Sequence, residues 1–171
     1  TDHYQGYAAI TARAFDAEAN VIARSGMGLS TNNGGDSDGC ISQQIDFADL
    51  KIQKTVEPEA WDFTKYTPDL VVVFLGTNDY SAYNKSEASE KPAFVDKFQT
   101  EYMNFLTKIR SKYPDAKILC LAKPSGSFGT EIAGIVDALG GANNNYYFHQ
   151  FSQFSASSLG HPSAAEHAQL A

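Results

Sequence analysis

The sequence predicts an α/β fold built on a parallel sheet. Residues 69–76, "DLVVVFLG", are continuously apolar and β-branched, as expected for a parallel strand that is covered on both faces. Segments with helical and strand periodicity alternate along the chain, a pattern typical of parallel sheets flanked by helices. The chain has 171 residues, of which 43% are hydrophobic, and it shows no internal repeat. We therefore expect a single α/β domain over residues 1–171.

The other elements are predicted from periodicity and from residues that end helices. An apolar stripe over residues 4–15 predicts a first helix, and "NVIAR" at 20–24 predicts a short buried strand. Pro92 fits the start of a long amphipathic helix, which "YP" at 113–114 ends. The remaining predictions are a strand at 116–122, a helix at 130–140, a last strand at 145–151 and a closing helix in "HPSAAEHAQLA".

Composition excludes several classes of function. The chain has 13 Lys and Arg against 20 Asp and Glu, and its basic residues form no cluster, so nucleic acid is not an expected partner. No apolar run is long enough to predict a membrane span, and "TDHYQGYAAI" lacks the features of a signal peptide. Cys40 and Cys120 have no metal-binding or disulfide spacing, so we expect neither a metal site nor a cofactor.

Three motifs are predicted to follow strands, at the edge where open α/β folds place their sites. They are "SGMG" at 25–28, "GTND" at 76–79 and "GHP" at 160–162. Residues 28–46 are rich in Gly, Asn, Ser and Asp and predict a surface loop beside the same edge. We therefore expect Gly28, Asn78 and His161 to converge although they lie far apart in the sequence.

The sequences of these motifs resemble those of a known hydrolase family. "FLGTND" with a downstream "HP" helix resembles the third and fifth blocks of the SGNH (GDSL-type) hydrolases, and "SGMG" fits the second block. "YAAITARAFDAEANVIARSGMG", "VVVFLGTNDYS", "YPDAKILCLAKP" and "HPSAAEH" are similar to the catalytic domain of carbohydrate esterase family two. The resemblance implies a three-layer, flavodoxin-like fold and a secreted serine esterase that removes acetyl groups from plant-wall polysaccharide or oligosaccharide.

The resemblance also assigns roles to individual residues. The Gly28 backbone N–H and the Asn78 side-chain amide are implied to donate to the oxyanion of the tetrahedral intermediate. His161 is implied to take the proton of the serine nucleophile and to return it to the leaving alcohol. Candidate sugar-binding platforms are Trp61, Tyr80 and Tyr83. Trp61 fits a place in the core equally well.

The family's first block, Gly-Asp-Ser at the end of the first strand, is absent from the 171 residues. "GDSD" at 35–38 follows no apolar strand, and "SGSFG" at 125–129 lacks the glycine of a G-x-S-x-G motif. We therefore expect the domain to be N-terminally incomplete, with the nucleophile supplied from outside these residues. Ser30 is the first substitute within the chain.

The missing strand would lie between the second and third strands of the family's sheet. Unpaired buried backbone groups are costly, so we expect the gap to be filled. An upstream segment, a second copy of the chain or a rearranged four-stranded pairing would fill it, and we favour the upstream segment.

A second departure concerns the acid that orients the histidine in the family. Ser158 and Leu159 occupy the positions where Asp is expected. We therefore predict a Ser-His dyad, in which a backbone carbonyl holds the ring N–H of His161. The alternative function is a non-catalytic SGNH remnant that binds acetylated glycans.

Overall fold

A computed structural model describes residues 3–48, 59–152 and 161–171. The chain divides into two compact units, one made of Thr1–Arg24 with Phe151–Ala171 and a larger one of Ser25–Gln150. A single domain over residues 1–171 stays a prediction.

The larger unit contains a parallel three-stranded sheet, which confirms the predicted fold class. Its strands are β1 (Leu70–Val73), β2 (Lys117–Ala122) and β3 (Tyr146–Gln150), in the order β1-β2-β3. Both strand pairs are parallel. β1 is shorter than predicted because the chain enters a helix soon after it, so the end of the apolar run is not strand.

The described residues of this unit form four α-helices: α2 (Ile41–Gln44), α3 (Thr77–Lys85), α4 (Lys91–Lys112) and α5 (Gly129–Ala138). Short 3₁₀ helices span Phe63–Lys65 and Gly141–Asn144. Pro92 lies in the first turn of α4, as predicted, because that position needs no backbone N–H donor. α3 was not predicted, since its sequence lacks an apolar stripe.

One apolar core joins α4 and α5 to the sheet. The side chains that α4 buries recur at helical spacing: Phe98, Tyr102, Phe105, Leu106 and Ile109. They meet the strand residues Ile118 and Cys120, both 0% exposed, and the α5 residue Ile132. The predicted aromatic stripe of α4 is therefore core.

Arg110 binds together the segments that enter the sheet at its amino edge. Its guanidinium donates to five carbonyl oxygens, those of Tyr113, Pro114, Ala116, Asn144 and Asn145, at 2.6 to 3.3 Å. The guanidinium also lies 4.9 Å from the centre of the Tyr146 ring. One side chain thus fixes the end of α4 against the starts of β2 and β3.

The smaller unit contains a 3₁₀ helix at His3–Gln5 and the helices α1 (Tyr7–Ala14) and α6 (Ala164–Leu170). Both predicted α-helices are confirmed. The Tyr7 and His167 rings stack with centroids 5.9 Å apart, and the Tyr7 N–H donates to His167 Nδ1 at 3.3 Å. Ser163 and Glu166 form a reciprocal capping box that begins α6.

Two sequence predictions are wrong. Residues 20–24 are irregular rather than a strand, with Val21 45% and Ile22 70% exposed, and no described strand pairs with them. A rearranged four-stranded sheet is accordingly not formed by the described residues. Apolar periodicity reports on side chains and does not reveal whether a backbone partner exists.

Segment 28–46 is not simply a surface loop, because Leu29 and Cys40 are 0% exposed.

Candidate functional site

The carboxyl edge of the sheet brings "SGMG" and "GTND" together. Asn78 lies in the first turn of α3, directly after β1, and is half-buried. Its side-chain Nδ2 donates to the carbonyl oxygen of Met27 at 2.7 Å. An amide carries two N–H donors, and the second one of Asn78 has no acceptor in the part of the chain described. Gly28 and Asn78 are therefore neighbours, as predicted.

Glycine is required at position 28 by close backbone packing. A Cβ on Gly28 would lie 1.8 Å from the carbonyl oxygen of Thr31 and 2.8 Å from Asp79 Oδ2. The N–H of Gly28 donates to Asn32 Oδ1 at 3.1 Å. This backbone donor is thus present at the site and already satisfied by a side chain of the same loop.

Gly26, the first glycine of "SGMG", has a different environment. Its φ is +79°, and a Cβ there would meet no atom within 4 Å. Its N–H has no hydrogen-bond acceptor among the residues described. Sequence reasoning singled out Gly28 and did not consider Gly26, although a glycine at positive φ is a common signal for a tight turn.

Asp79 joins the glycine motif to α3 through four hydrogen bonds. Its Oδ2 accepts from the Leu29 N–H at 2.8 Å, and its Oδ1 accepts from the Ser30 N–H at 2.8 Å. Oδ1 also accepts from Ser30 Oγ at 3.1 Å and from the Thr31 N–H at 2.9 Å. Asp79 is 0% exposed and Ser30 is 4% exposed. The hydroxyl of Ser30 is therefore buried and committed to Asp79, which makes it a poor substitute nucleophile.

The negative charge of Asp79 influences a neighbouring thiol. Burial raises the pKa of Cys40 to about 11, and the Asp79 carboxylate adds to that rise. Burial also raises the pKa of Cys120 to about 11. Both thiols are free and buried. They are protonated at neutral pH and are not activated nucleophiles.

A second loop at this edge follows β2. Gln150 Nε2 donates to the carbonyl oxygens of Lys123 and Pro124 at 2.9 and 3.2 Å. A Cβ on Gly76, where φ is +114°, would lie 2.9 Å from the Ser127 carbonyl oxygen, so this loop packs directly against the start of α3. The sequence signal for it was the Gly- and Ser-rich stretch after an apolar strand.

Tyr80 and Tyr83 belong to an aromatic cluster around Phe128. The Phe128 ring centroid lies 5.1 Å from that of Tyr80, 5.4 Å from that of Tyr83 and 4.4 Å from that of Phe98. Lys91 Nζ lies 4.7 Å from the centre of the Tyr83 ring, so one face of that ring is already covered. Both tyrosines are half-buried. Of the two tyrosines, only Tyr83 has a cation over its ring among the described residues.

Trp61 lies elsewhere in the larger unit. Its backbone N–H donates to the carbonyl oxygen of Asp46 at 2.7 Å, and the Asp46 carboxylate pairs with Lys108. Trp61 is thus near the Lys108 end of α4, whereas Tyr83 is near the Lys91 end. These two lysines are about 25 Å apart along the helix axis at the rise of an α-helix. The structure therefore does not bring Trp61 together with the two tyrosines, and its half-buried position favours packing.

His161 is in the smaller unit, two residues before the Ser163 cap of α6, and it is exposed. Its convergence with Asn78 stays a prediction. Ser158 and Leu159, on which the predicted dyad depends, lie outside the described residues. The backbone partner of the His161 ring also stays a prediction.

The described residues were also predicted to hold no metal and to cross no membrane. Residues 3–48, 59–152 and 161–171 contain no group of three or more His, Cys, Asp or Glu arranged to hold a metal ion. Within the same residues, no helix combines the length and the apolar character needed to cross a membrane.

Curated relatives resemble the chain over nearly its whole length. The cellulase/esterase CelE of Acetivibrio thermocellus is 36% identical over 183 residues, covering 98% of this chain and 20% of the relative. An acetylxylan esterase/glucomannan deacetylase of Cellvibrio japonicus is 28% identical over 160 residues, covering 92% of this chain and 40% of the relative. The chain thus spans well under two thirds of the length of either relative.

A solved structure and a family model agree with these relatives. The structure of a family two carbohydrate esterase from Clostridium thermocellum in complex with cellohexaose matches with a TM-score of 0.79 at 36% identity, covering 98% of this chain and 51% of that one. The model of the GDSL-like lipase/acylhydrolase family matches residues 1–165. Because this match includes the parallel sheet and the edge where Gly28 meets Asn78, the chain belongs to the GDSL-like lipase/acylhydrolase family.

Proposed function

We propose that the chain is part of a secreted serine esterase that removes acetyl groups from plant-wall polysaccharide or oligosaccharide, and that it supplies the base and most of the oxyanion hole. The observation that carries the proposal is the meeting of the Gly28 loop with Asn78 at the carboxyl edge of the sheet. The relatives named as acetylxylan esterases and the neighbour bound to cellohexaose support the choice of an acetylated carbohydrate.

In this proposal the site stabilises the oxyanion that forms when a serine attacks the acetyl carbonyl. The second Asn78 N–H is one donor, and a backbone N–H of "SGMG" is the other. Donation from Gly28 would exchange its bond to Asn32 Oδ1 for a bond to the oxyanion. Removing one such donor typically raises the barrier by about 2.7 to 4 kcal/mol.

His161 is proposed as the general base. It accepts the serine proton as the Ser–O bond to the acetyl carbon forms, and it returns that proton to the leaving sugar hydroxyl as the ester C–O bond breaks. Water then attacks the acetyl-serine, with His161 again taking and returning the proton. Tyr80 is the proposed contact for the sugar ring.

We propose that the serine arrives on a strand that pairs with β1. No described strand pairs with the edge of β1 that faces away from β2, and Leu70 and Val72 are 48% and 46% exposed. A parallel strand there would end at the same edge as Asn78 and would satisfy unpaired backbone groups. An upstream segment is the proposed source, and a second copy of the chain is the alternative.

A non-catalytic glycan-binding remnant is the second candidate, because the 171 residues contain no Gly-Asp-Ser after an apolar strand. This candidate needs Tyr80 and the loops of the edge, but neither a nucleophile nor a base.

An acylation experiment separates the two functions. We would compare aryl acetate hydrolysis by the 171-residue chain alone with hydrolysis by a protein extended upstream with a Gly-Asp-Ser segment. His161→Ala serves as the control, and mass spectrometry follows treatment with a serine-directed phosphonate. We expect little activity alone, and His161-dependent activity with the label on the added serine. Labelling of a serine within residues 1–171 would show that the nucleophile is misplaced, whereas glycan binding without labelling in either protein would favour the remnant.

A further inference from the structure

Asp79 is a fully buried carboxylate that forms no ion pair with any described Lys, Arg or His. It is 0% exposed, and the groups that satisfy it are three consecutive backbone N–H groups and one hydroxyl, all from residues 29–31. Burying an anion is costly unless it is hydrogen-bonded, so this arrangement holds only while the loop keeps its present shape. Three successive N–H groups that converge on one anion form a concave nest in the backbone.

The first turn of α3 therefore holds the glycine motif at two successive points. Asn78 donates to the carbonyl oxygen of Met27, the residue before Gly28, at 2.7 Å. Asp79 accepts from the N–H of Leu29, the residue after Gly28, at 2.8 Å. Gly28 lies between these two bonds, so the backbone that presents its N–H is fixed from both directions by adjacent residues of one helix.

We infer that Asp79 is a positioning residue for the oxyanion site, setting the separation between the "SGMG" backbone donors and the Asn78 amide. The catalytic part of this inference rests on the proposed esterase function. The carboxylate is needed rather than an amide, because both of its oxygens accept. An Asn side chain has one acceptor oxygen and would turn an NH₂ group toward one of the loop N–H groups.

The geometry predicts which bonds each variant removes. Asp79→Asn retains the size of the side chain and loses the acceptor for the Leu29 N–H or the acceptor shared by Ser30 and Thr31. Ser30→Ala removes the hydroxyl bond of 3.1 Å, one of the three bonds that Oδ1 accepts. It should therefore loosen the contact of Oδ1 with the N–H groups of residues 30 and 31, but less than Asp79→Asn does. Asp137→Asn is the matched control, because Asp137 is an exposed carboxylate on α5 and its side chain has no role in the site.

Amide hydrogen exchange tests the positioning without any need for activity. In the 171-residue chain, we expect the amides of residues 29–31 to exchange at least about tenfold faster in Asp79→Asn than in the unmodified chain. The β2 amides, far from the substitution, should change much less. Asp137→Asn should leave residues 29–31 unchanged. Equal protection of residues 29–31 in Asp79→Asn and the unmodified chain would overturn the inference.

Steady-state kinetics in the serine-extended protein test the catalytic consequence. At a temperature where every variant is folded, we expect kcat for an acetate ester to fall about 10- to 100-fold in Asp79→Asn, with KM changed less than about threefold. A merely structural role would leave kcat per folded molecule unchanged, and that result would overturn the inference.

Two further outcomes remain decisive. If Asp79→Asn does not fold, Ser30→Ala carries the test: faster exchange at residues 30 and 31 with a severalfold lower kcat supports positioning, and no change in either overturns it. If the unsubstituted, serine-extended protein hydrolyses no acetate ester, the proposed function fails. Hydrogen exchange alone then decides whether Asp79 holds the loop.

Discussion

Replacing Gly28 by alanine tests the geometry of the site most sharply. The added Cβ would begin 1.8 Å from the Thr31 carbonyl oxygen, and real Cβ contacts are essentially never under 3.0 Å. The backbone at Thr31 must therefore move by about 1.2 Å, the difference between those two distances. The Thr31 N–H is 2.9 Å from Asp79 Oδ1, so a shift of this size breaks that bond.

The expected loss of stability follows from the hydrogen bonds that the shift of Thr31 would break. A hydrogen bond to a charged group contributes about 1.5 to 3 kcal/mol, so we expect Gly28→Ala to lower the free energy of unfolding of the larger unit by about 3 kcal/mol or more. Gly26→Ala meets no atom within 4 Å but has a φ of +79°, so it should cost only about 1 to 2 kcal/mol. Gly134→Ala, within α5 and also unobstructed, should be neutral or stabilising by up to about 1 kcal/mol.

Urea unfolding followed by tryptophan fluorescence measures these differences. The chain has one tryptophan, Trp61, and it lies in the larger unit, so its emission reports on the unit that contains the substitutions. The expected order of stability is Gly134→Ala, then Gly26→Ala, then Gly28→Ala. A Gly28→Ala chain as stable as Gly26→Ala would refute the close packing of Gly28 against Thr31.

The remaining predictions concern the scaffold. Arg110→Ala should lower the free energy of unfolding by about 3 kcal/mol, because five carbonyl oxygens lose their donor. Arg110→Lys should recover only part of this free energy. An unchanged urea midpoint in Arg110→Ala would contradict the role of the side chain. Burial raises the pKa of Cys40 and of Cys120 to about 11 from an ordinary 9.0, so the contribution of these two thiols to stability is present below pH 9 and is lost as pH rises toward 11, since the unfolded thiols ionise first. A Cys40→Ala, Cys120→Ala double variant should show a shallower alkaline loss in the same urea titration, and an identical slope would count against the burial of these thiols.

Long periodic segments could be predicted from the sequence, and short segments held by tertiary contacts could not. α4 and β2 were predicted within a residue or two because their side chains repeat with a clear period. α3 has no such stripe, and it begins where Gly76 adopts a positive φ against Ser127, which only the folded chain reveals. The apolar residues at 20–24 predicted a strand because the sequence does not show whether a neighbouring strand is available.

The same distinction holds for the candidate site. Asn78 could be found because its motif follows a strand that the structure contains. Gly28 could be found through the family resemblance of "SGMG", since the strand predicted before that motif is not formed. The bonds of Asp79 to residues 29–31 could not be found, since they join parts of the chain that are distant in sequence. The bond from the Gly28 N–H to Asn32 depends on a loop conformation that no sequence period encodes.

The proposed esterase requires Asn78 and His161 to act together in one ester-hydrolysing site. The most direct test is the kcat for an acetate ester in the serine-extended protein, measured for Asn78→Ala, His161→Ala and the double variant, with folding checked by Trp61 fluorescence. We expect each single substitution to lower kcat at least about 100-fold, as for removal of an oxyanion donor or a general base. The double variant should lose less than the product of the two single effects, because groups that act as a unit are not additive. Full activity in either folded single variant would contradict the proposed esterase mechanism.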